Sequence, residues 1–144
     1  MPKKFLLVVA AICLGVFSST ASAYSSFNVS VSAYALTYTG TIQATVFASY
    51  SDYSCTPTYQ CDHNVFVRVS LHRGFGQFAP IVGQRVSQTG QYGSTVQATF
   101  AVPSCQLIPR FHSITYTVRA EAQAPDGEQR TGSTYVYVYS CRTT

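Results

Sequence analysis

The strict alternation of apolar and polar residues limits, more than any other feature, what this chain can fold into. The clearest run covers residues 65–72, where aliphatic residues occupy every second position: Val65, Val67, Val69 and Leu71. A period of two places alternate side chains on opposite faces of a β-strand, whereas a helix repeats after about 3.6 residues. The alternation recurs along the chain and no helical period appears. We therefore predict an all-β fold.

Seven segments show this alternation and are separated by turn residues. We predict strands at residues 27–38, 41–50, 65–72, 81–88, 95–102, 114–123 and 133–140. Short strands at such spacing are typical of two antiparallel sheets that pack face to face. The composition supports a folded core, because 47% of the 144 residues are hydrophobic and only 10% are charged. We predict a single β-sandwich domain over residues 24–144.

The N-terminal segment, residues 1–23, has the pattern of a secretory signal peptide. Lys3 and Lys4 precede an apolar run of 13 residues at 5–17, and the small residues Ala-Ser-Ala follow at 21–23. A helix of that length covers ~20 Å, which is less than the ~30 Å hydrocarbon core of a bilayer. We therefore expect a secreted protein, extracellular or periplasmic, with no membrane span.

Four cysteines remain once this segment is removed, and an even number in an exported chain favours two disulfides over metal ligation. If the strands run alternately up and down, Cys55 and Cys61 share the loop between the second and third strands. Cys105 and Cys141 then lie at the opposite end of the sandwich. Strands of this length span ~27–34 Å, whereas the Cα atoms of a disulfide lie at most about 6.8 Å apart. We predict the pairs Cys55–Cys61 and Cys105–Cys141.

The segment Tyr116-Thr117-Val118-Arg119-Ala120, followed by the turn Pro125-Asp126-Gly127 and a last strand, resembles a known arrangement. It is similar to the penultimate strand and final hairpin of immunoglobulin-like and fibronectin type III domains. The resemblance implies an immunoglobulin-like sandwich. The chain departs from both families because it has no tryptophan, and no cysteine lies within the second or sixth predicted strand. A fold alone assigns no function, so only the architecture is implied.

Residues of three loops are expected to meet at one end of the sandwich. Tyrosine offers a large amphipathic contact area at low entropic cost, and a loop closed by its own disulfide holds such residues in place. The candidate ligand-binding residues are Tyr53, Tyr59, Tyr92, Asp126 and Arg130. The expected ligand is a protein or a carbohydrate. The alternative is that these residues are polar only because the loops are solvated.

The last predicted strand offers a second candidate surface, because tyrosines and valines alternate along it. If Val136 and Val138 enter the core, the tyrosines form an exposed ladder that can stack on sugar rings or pack on another subunit. The opposite orientation, with the tyrosines buried between the sheets, fits the sequence equally well. The residues of this candidate assembly edge are Tyr135, Tyr137 and Tyr139.

Sequence motifs for catalysis or metal binding are missing. No HxH, HExxH or CxxC spacing occurs, and no serine with a paired acid stands out. The arginines are scattered rather than clustered, which argues against a nucleic-acid partner. We expect a protein that is not an enzyme and that has no catalytic residues, metal site or cofactor.

The sequence therefore favours a secreted, disulfide-stabilised binding or adhesion module that uses the loops at one end of the sandwich. One alternative is a structural subunit of a cell surface, coat or matrix that self-associates through the tyrosine-rich last strand. A further alternative is a secreted inhibitor or effector that presents the loop between Cys55 and Cys61 to its target.

Peptide mapping under non-reducing conditions tests the disulfides and the strand arrangement together. Proteolysis of the oxidised protein should release one peptide pair joined through Cys105 and Cys141, and one peptide closed by Cys55 and Cys61. A link from Cys55 to Cys105 or Cys141 would contradict the alternating arrangement, because these cysteines are expected at opposite ends of the sandwich.

Overall fold

The computed structural model describes residues 25–52, 64–76, 79–88 and 94–142. The predicted signal peptide at 1–23 lies outside the described residues. The strands are β1 (Ser25–Leu36), β2 (Thr41–Asp52), β3 (Phe66–Arg73), β4 (Ile81–Gln88), β5 (Ser94–Ala101), β6 (Ser113–Gln123) and β7 (Gln129–Tyr139). In the described ranges, no helix is long and apolar enough to cross a membrane.

The seven strands form two antiparallel sheets. One sheet has the order β1-β2-β5, and the other has the order β4-β3-β6-β7. The prediction of an all-β chain with seven strands in two antiparallel sheets is confirmed. The observed order also places β3 and β6 in the middle of the larger sheet, so β4 and β7 are its edges.

The largest difference from the predicted boundaries is the start of β7, which begins at Gln129 instead of residue 133. The turn before it is tight, since the Ala124 N–H donates to the Glu128 carbonyl at 2.9 Å. Pairing with β6 therefore resumes at once, with Gln123 opposite Gln129. Residues 129–132 read Gln-Arg-Thr-Gly and show no apolar alternation, so the sequence pattern carries no signal for this part of the strand.

The core lies between the two sheets and is built from the alternating aliphatic residues. The run around β3 that the sequence places inward is completely buried, with Val65, Val67, Val69 and Leu71 at 0% exposure. Burial of each such side chain contributes about 1.5–3 kcal/mol relative to leaving it in water. The inward faces of β2, β5, β6 and β7 belong to the same core.

Tyr116 of β6 is a core residue with an ionisable group, and it is 2% exposed. Burial raises the pKa of its phenol because the ionised form is poorly solvated inside the sandwich. Arg73 lies opposite Tyr116 in the β3–β6 register, and its positive charge opposes this rise in the pKa. The phenol is therefore neutral near pH 7, and it introduces no charge into the core.

The loops that the structure describes lie at the two ends of the sandwich, as alternating strands require. At one end, which we call the turn end, the Tyr50 hydroxyl donates to Asp126 Oδ2 at 3.0 Å and links the end of β2 to the β6–β7 turn. At the other end, which we call the disulfide end, the Cys105 N–H donates to the Thr37 carbonyl at 2.8 Å. This contact joins the β5–β6 loop to the β1–β2 turn.

A disulfide between Cys105 and Cys141 closes the disulfide end, with a Cα–Cα distance of 5.1 Å. The predicted pair is confirmed. It connects the β5–β6 loop to the chain just beyond β7, and a covalent loop of 36 residues stabilises a fold by roughly 3.8 kcal/mol in the chain-entropy account. The other predicted pair, Cys55–Cys61, lies outside the described residues.

Glycines allow the edge strands of the two sheets to approach each other closely. A Cβ atom at Gly83 of β4 would lie 2.6 Å from Cδ1 of Phe100, a buried ring of β5. On the opposite side of the sandwich, a Cβ atom at Gly132 of β7 would lie 3.1 Å from a methyl group of Val31 in β1. The first position has no room for a side chain, and the second has little.

The substitution Gly83→Ala should lower the free energy of unfolding by about 1–3 kcal/mol, because it overpacks the core against Phe100. This sign opposes the usual gain of about 0.5–1 kcal/mol when alanine replaces glycine inside a strand. Urea unfolding measures the change. Gly132→Ala is the matched control and should cost less, because the Val31 methyl group is only partly buried and can shift.

A second variant tests whether Gly83→Ala destabilises the protein through the contact with Phe100 or through a general loss of strand stability. Phe100→Leu removes part of the ring that Gly83 faces, so the effects of Gly83→Ala and Phe100→Leu should combine to less than their sum. Full additivity in the double variant would contradict the contact.

Candidate binding face

The outer face of the four-stranded sheet carries the tyrosines of β7. Val136 and Val138 are buried in the core, whereas Tyr135, Tyr137 and Tyr139 are 50%, 43% and 62% exposed. Of the two orientations that the sequence leaves open, the protein therefore has the exposed tyrosine ladder.

Phe75, in the loop between β3 and β4, extends this ladder. Its ring centroid lies 5.4 Å from that of Tyr135 and 6.4 Å from that of Tyr137. The rings of Tyr137 and Tyr139 lie 6.2 Å apart, with their planes inclined by only 24°. We call these four residues the aromatic ridge. Their contacts with one another hold the rings in defined positions although all four are exposed.

The β3–β4 loop reaches the ridge because it folds over the outer face of β3 and β6. Thr117 Oγ1 donates to the Gly74 carbonyl at 2.6 Å, and the Gly74 N–H donates to the Thr115 carbonyl at 2.9 Å. On the other side of the loop, His72 Nδ1 donates to the Ala79 carbonyl at 2.7 Å. Hydrogen bonds from two neighbouring strands thus fix the loop that carries the phenylalanine of the ridge.

The loop also buries polar residues that the alternation places on the outer face of β3. Ser70 and His72 are 4% and 5% exposed, and Ser70 Oγ lies 2.9 Å from His72 Nε2. The sequence correctly places His72 on the outward side of its strand, but the covering loop removes it from solvent. Both ring nitrogens have partners, so this histidine holds the loop in place.

A groove runs beside the ridge across β6 and its neighbours. Its smaller part, of about 230 Å³, borders Tyr135, and its larger part, of about 450 Å³, reaches Phe66 and Val86. Arg119 and Thr131 line both parts, so the groove extends from the ridge towards β4. We call it the polar groove, because its lining includes the polar residues Arg68, Thr117, Arg119, Glu121, Gln123 and Thr131.

Two arginines share one carboxylate in the polar groove. Glu121 Oε1 lies 3.3 Å from Arg119, and Glu121 Oε2 lies 3.5 Å from Arg68. Both pairs are partly open to solvent, so each contributes no more than about 1 kcal/mol and can exchange for a ligand group. These three side chains have a net positive charge. The groove therefore suits a ligand that offers hydrogen-bond acceptors or a carboxylate.

The candidate loop site of the sequence analysis falls partly outside the described residues, which do not include Tyr53, Tyr59 and Tyr92. The other two members lie at the turn end. The Asp126 carboxylate accepts from the Tyr50 hydroxyl and from the Glu128 N–H at 2.9 Å, and Arg130 lies 2.7 Å from the Glu128 carboxylate. Asp126 therefore links the sheets and closes a turn, while a ligand contact by these five residues stays a prediction.

Sequence reasoning missed Phe75, Phe66 and Arg119 as members of this face. Phe75 stands between two glycines, and an aromatic residue in a glycine-flanked loop is the sequence signal that could have identified it as a surface contact residue. Arg119 and Phe66 carry no such signal, because an outward residue of a strand joins a groove only through its neighbours in the sheet.

The chain matches no family model and no curated protein sequence.

The substitution Thr117→Val removes the hydroxyl that holds the β3–β4 loop at Gly74. We expect a loss of about 1–3 kcal/mol in the free energy of unfolding, because the loop loses a hydrogen bond in a part-buried site. The amide of Gly74 should exchange faster with solvent. Thr115→Val is the matched control, since this threonine lies on the same face of β6 and its side chain has no hydrogen bond within the described structure. Equal effects of the two substitutions would argue against the clamp.

Proposed function

We propose that this protein is a secreted, immunoglobulin-like binding or adhesion module without enzymatic activity, and that it contacts a protein partner through the aromatic ridge. In this proposal the segment at 1–23 is removed on export, and a second disulfide joins Cys55 to Cys61. The contact surface differs from the one that the sequence favours, because the ridge lies on the face of a sheet rather than on end loops.

The strand order supports the immunoglobulin-like part of the proposal. In immunoglobulin domains the third, sixth and seventh strands of the constant type share one sheet, and the first, second and fifth share the other. Here β3, β6 and β7 are neighbours, and so are β1, β2 and β5. The strand β4 lies beside β3, which is the side where variable-type domains carry their extra strands.

The observation that carries the functional proposal is the exposed row of four aromatic side chains, three on β7 and one on the hydrogen-bonded β3–β4 loop. Aromatic residues are enriched in the buried centres of protein interfaces because they combine apolar area with few rotatable bonds. The sheet and the clamped loop order these side chains before binding, so association costs less conformational entropy. The polar groove beside the ridge supplies the hydrogen-bonding rim that such interfaces have.

The ring geometry favours a protein over a carbohydrate as the partner. A sugar ring stacks on an open aromatic face, whereas Tyr137 and Tyr139 are stacked beside each other with their centroids 6.2 Å apart. Phe75 meets Tyr135 at an interplanar angle of 64°, so these two rings also cover part of each other. The ridge therefore offers ring edges and phenolic hydroxyl groups, which suit contact with a mixed apolar and polar protein surface.

A second candidate function is self-association, and one observation favours it. The strand β7 is an edge of its sheet, and its segment 135–139 is uncharged and rich in tyrosine. Such an edge can pair with the edge of another molecule. However, β1 packs beside β7, and Gly132 lies against Val29 and Val31, so the beginning of the edge is covered within the monomer.

Two measurements on the oxidised protein test the proposal. Light scattering over a concentration series should show a monomer. On arrays of extracellular proteins and of glycans, the protein should bind defined protein spots. The variant Phe75→Ser/Tyr137→Thr should lose these signals without a change in melting temperature, because both side chains are exposed. The control Tyr34→Thr/Phe47→Thr, which removes exposed aromatic rings from the three-stranded sheet, should keep them.

Two results would argue against this proposal in different ways. One is binding to glycans alone that Arg119→Gln abolishes and the ridge variant retains. This result would identify the polar groove as the binding site and a carbohydrate as the ligand. The other is the formation of concentration-dependent oligomers that disappear in Tyr137→Lys. This result would favour a self-associating structural subunit over a binding module.

A further inference from the structure

Two exposed apolar side chains project from the β5–β6 loop at the disulfide end. Phe111 is 88% exposed and Leu107 is 71% exposed. Between them, Ile108 is 1% exposed and belongs to the core. The loop therefore has an anchor in the core, and its other two large apolar residues are turned to solvent instead of being buried with it.

The loop that carries them is firmly attached to the fold. The Cys105–Cys141 disulfide ties one side of it, and the Ser140 hydroxyl donates to the Ile108 carbonyl at 3.0 Å. Arg142 Nε donates to the Gln106 carbonyl at 2.6 Å. The exposure of the apolar side chains is therefore a property of an ordered loop.

Phe111 also occupies an unfavourable backbone conformation. Its φ angle is +62°, which lies in the left-handed region that glycine adopts readily and bulky aromatic residues adopt rarely. A strained residue persists when the surrounding structure imposes it, and such residues concentrate at functional sites. Since the ring is not used by the core, folding gives no reason for a phenylalanine at this position.

Positive charge surrounds these apolar groups. The Arg110 guanidinium carbon lies 4.7 Å from the centroid of the Phe111 ring, and Arg142 is held against the same loop. Arg73 ends β3 at this end of the sandwich. The acidic residues of the described chain lie at or near the opposite, turn end: Asp52, Glu121, Asp126 and Glu128.

We propose that this basic tip, made of Leu107, Arg110, Phe111 and Arg142, docks on an anionic lipid surface. Aromatic and aliphatic side chains enter the interfacial layer of a bilayer, and guanidinium groups bind the phosphates of the headgroups. A fluid interface accepts projecting apolar side chains without a complementary pocket. The segregation of acidic side chains to the other end leaves no carboxylate side chain near the tip to oppose the attraction among the described residues.

This inference does not depend on the proposed protein contact, because the tip lies at an end of the sandwich and the ridge lies on a sheet face. The docked protein would keep its turn end away from the lipid surface. A partner with an acidic surface is the competing explanation of the same charges, and binding to vesicles or to immobilised polyglutamate distinguishes the two.

Sedimentation with vesicles tests the proposal on the oxidised protein. Vesicles of phosphatidylglycerol mixed with phosphatidylcholine should bind it, vesicles of phosphatidylcholine alone should bind it much less, and added salt should weaken the binding. Leu107→Ser/Phe111→Gly should lower the partition coefficient by about tenfold or more. Arg110→Gln should lower it by roughly fivefold.

The glycine in the double variant guards against a trivial loss through unfolding. Glycine relieves the positive φ angle at position 111, so the melting temperature should stay the same or rise while vesicle binding falls. Phe47→Ser is the matched control, because it removes an exposed aromatic ring from β2 and should not alter vesicle binding.

Any of four results would overturn the proposal. One is a lack of binding to the anionic vesicles, and another is equal binding to both kinds of vesicle. The third is unchanged binding of the double variant. Retention on immobilised polyglutamate without binding to vesicles would also overturn it, and would assign the basic tip to an acidic protein partner.

Discussion

The burial of one face of each sheet against the other is the interaction on which the rest of the structure depends. The four alternating aliphatic residues around β3 lose all contact with water, and the inward residues of the other sheet join them in one core. Because side chains alternate strictly along a strand, this burial also determines which residues point outward. The ridge tyrosines are exposed because Val136 and Val138 occupy the core side of β7.

A second, polar layer of structure lies on the outer face of the larger sheet. Hydrogen bonds from Thr117 and His72 bring the β3–β4 loop across two strands, and this loop delivers Phe75 to tyrosines that lie some sixty residues later in the chain. The arrangement converts a row of tyrosines on one strand into a surface built from two segments. It also explains why buried polar residues occur on the outside of a sheet, since the loop covers them and satisfies their hydrogen bonds.

The two ends of the sandwich differ in chemistry although both are made of loops. At the turn end, Asp126 joins the sheets through Tyr50, and the described acidic residues collect near it. At the disulfide end, Cys105–Cys141 and several backbone bonds hold a loop that carries exposed apolar and basic side chains. The covalent bond and the hydrogen bonds permit this loop to hold Phe111 in a conformation that it would not adopt alone.

The sequence by itself determined the fold class, the seven strands, the inward face of β3 and the Cys105–Cys141 pair, because these follow from a local period of two and from the alternation of strand direction. The sequence did not predict the start of β7, since Gln129 to Gly132 pair with β6 but show no apolar alternation. Only the tertiary structure decided that the tyrosines of β7 face solvent, that Phe75 joins them, and that Phe111 stays exposed while Ile108 is buried. The physical reason is that a period of two does not tell which face is covered when both faces carry apolar side chains, as the tyrosines and valines of β7 do. A loop residue, in turn, acquires its surroundings only when distant segments pack against it.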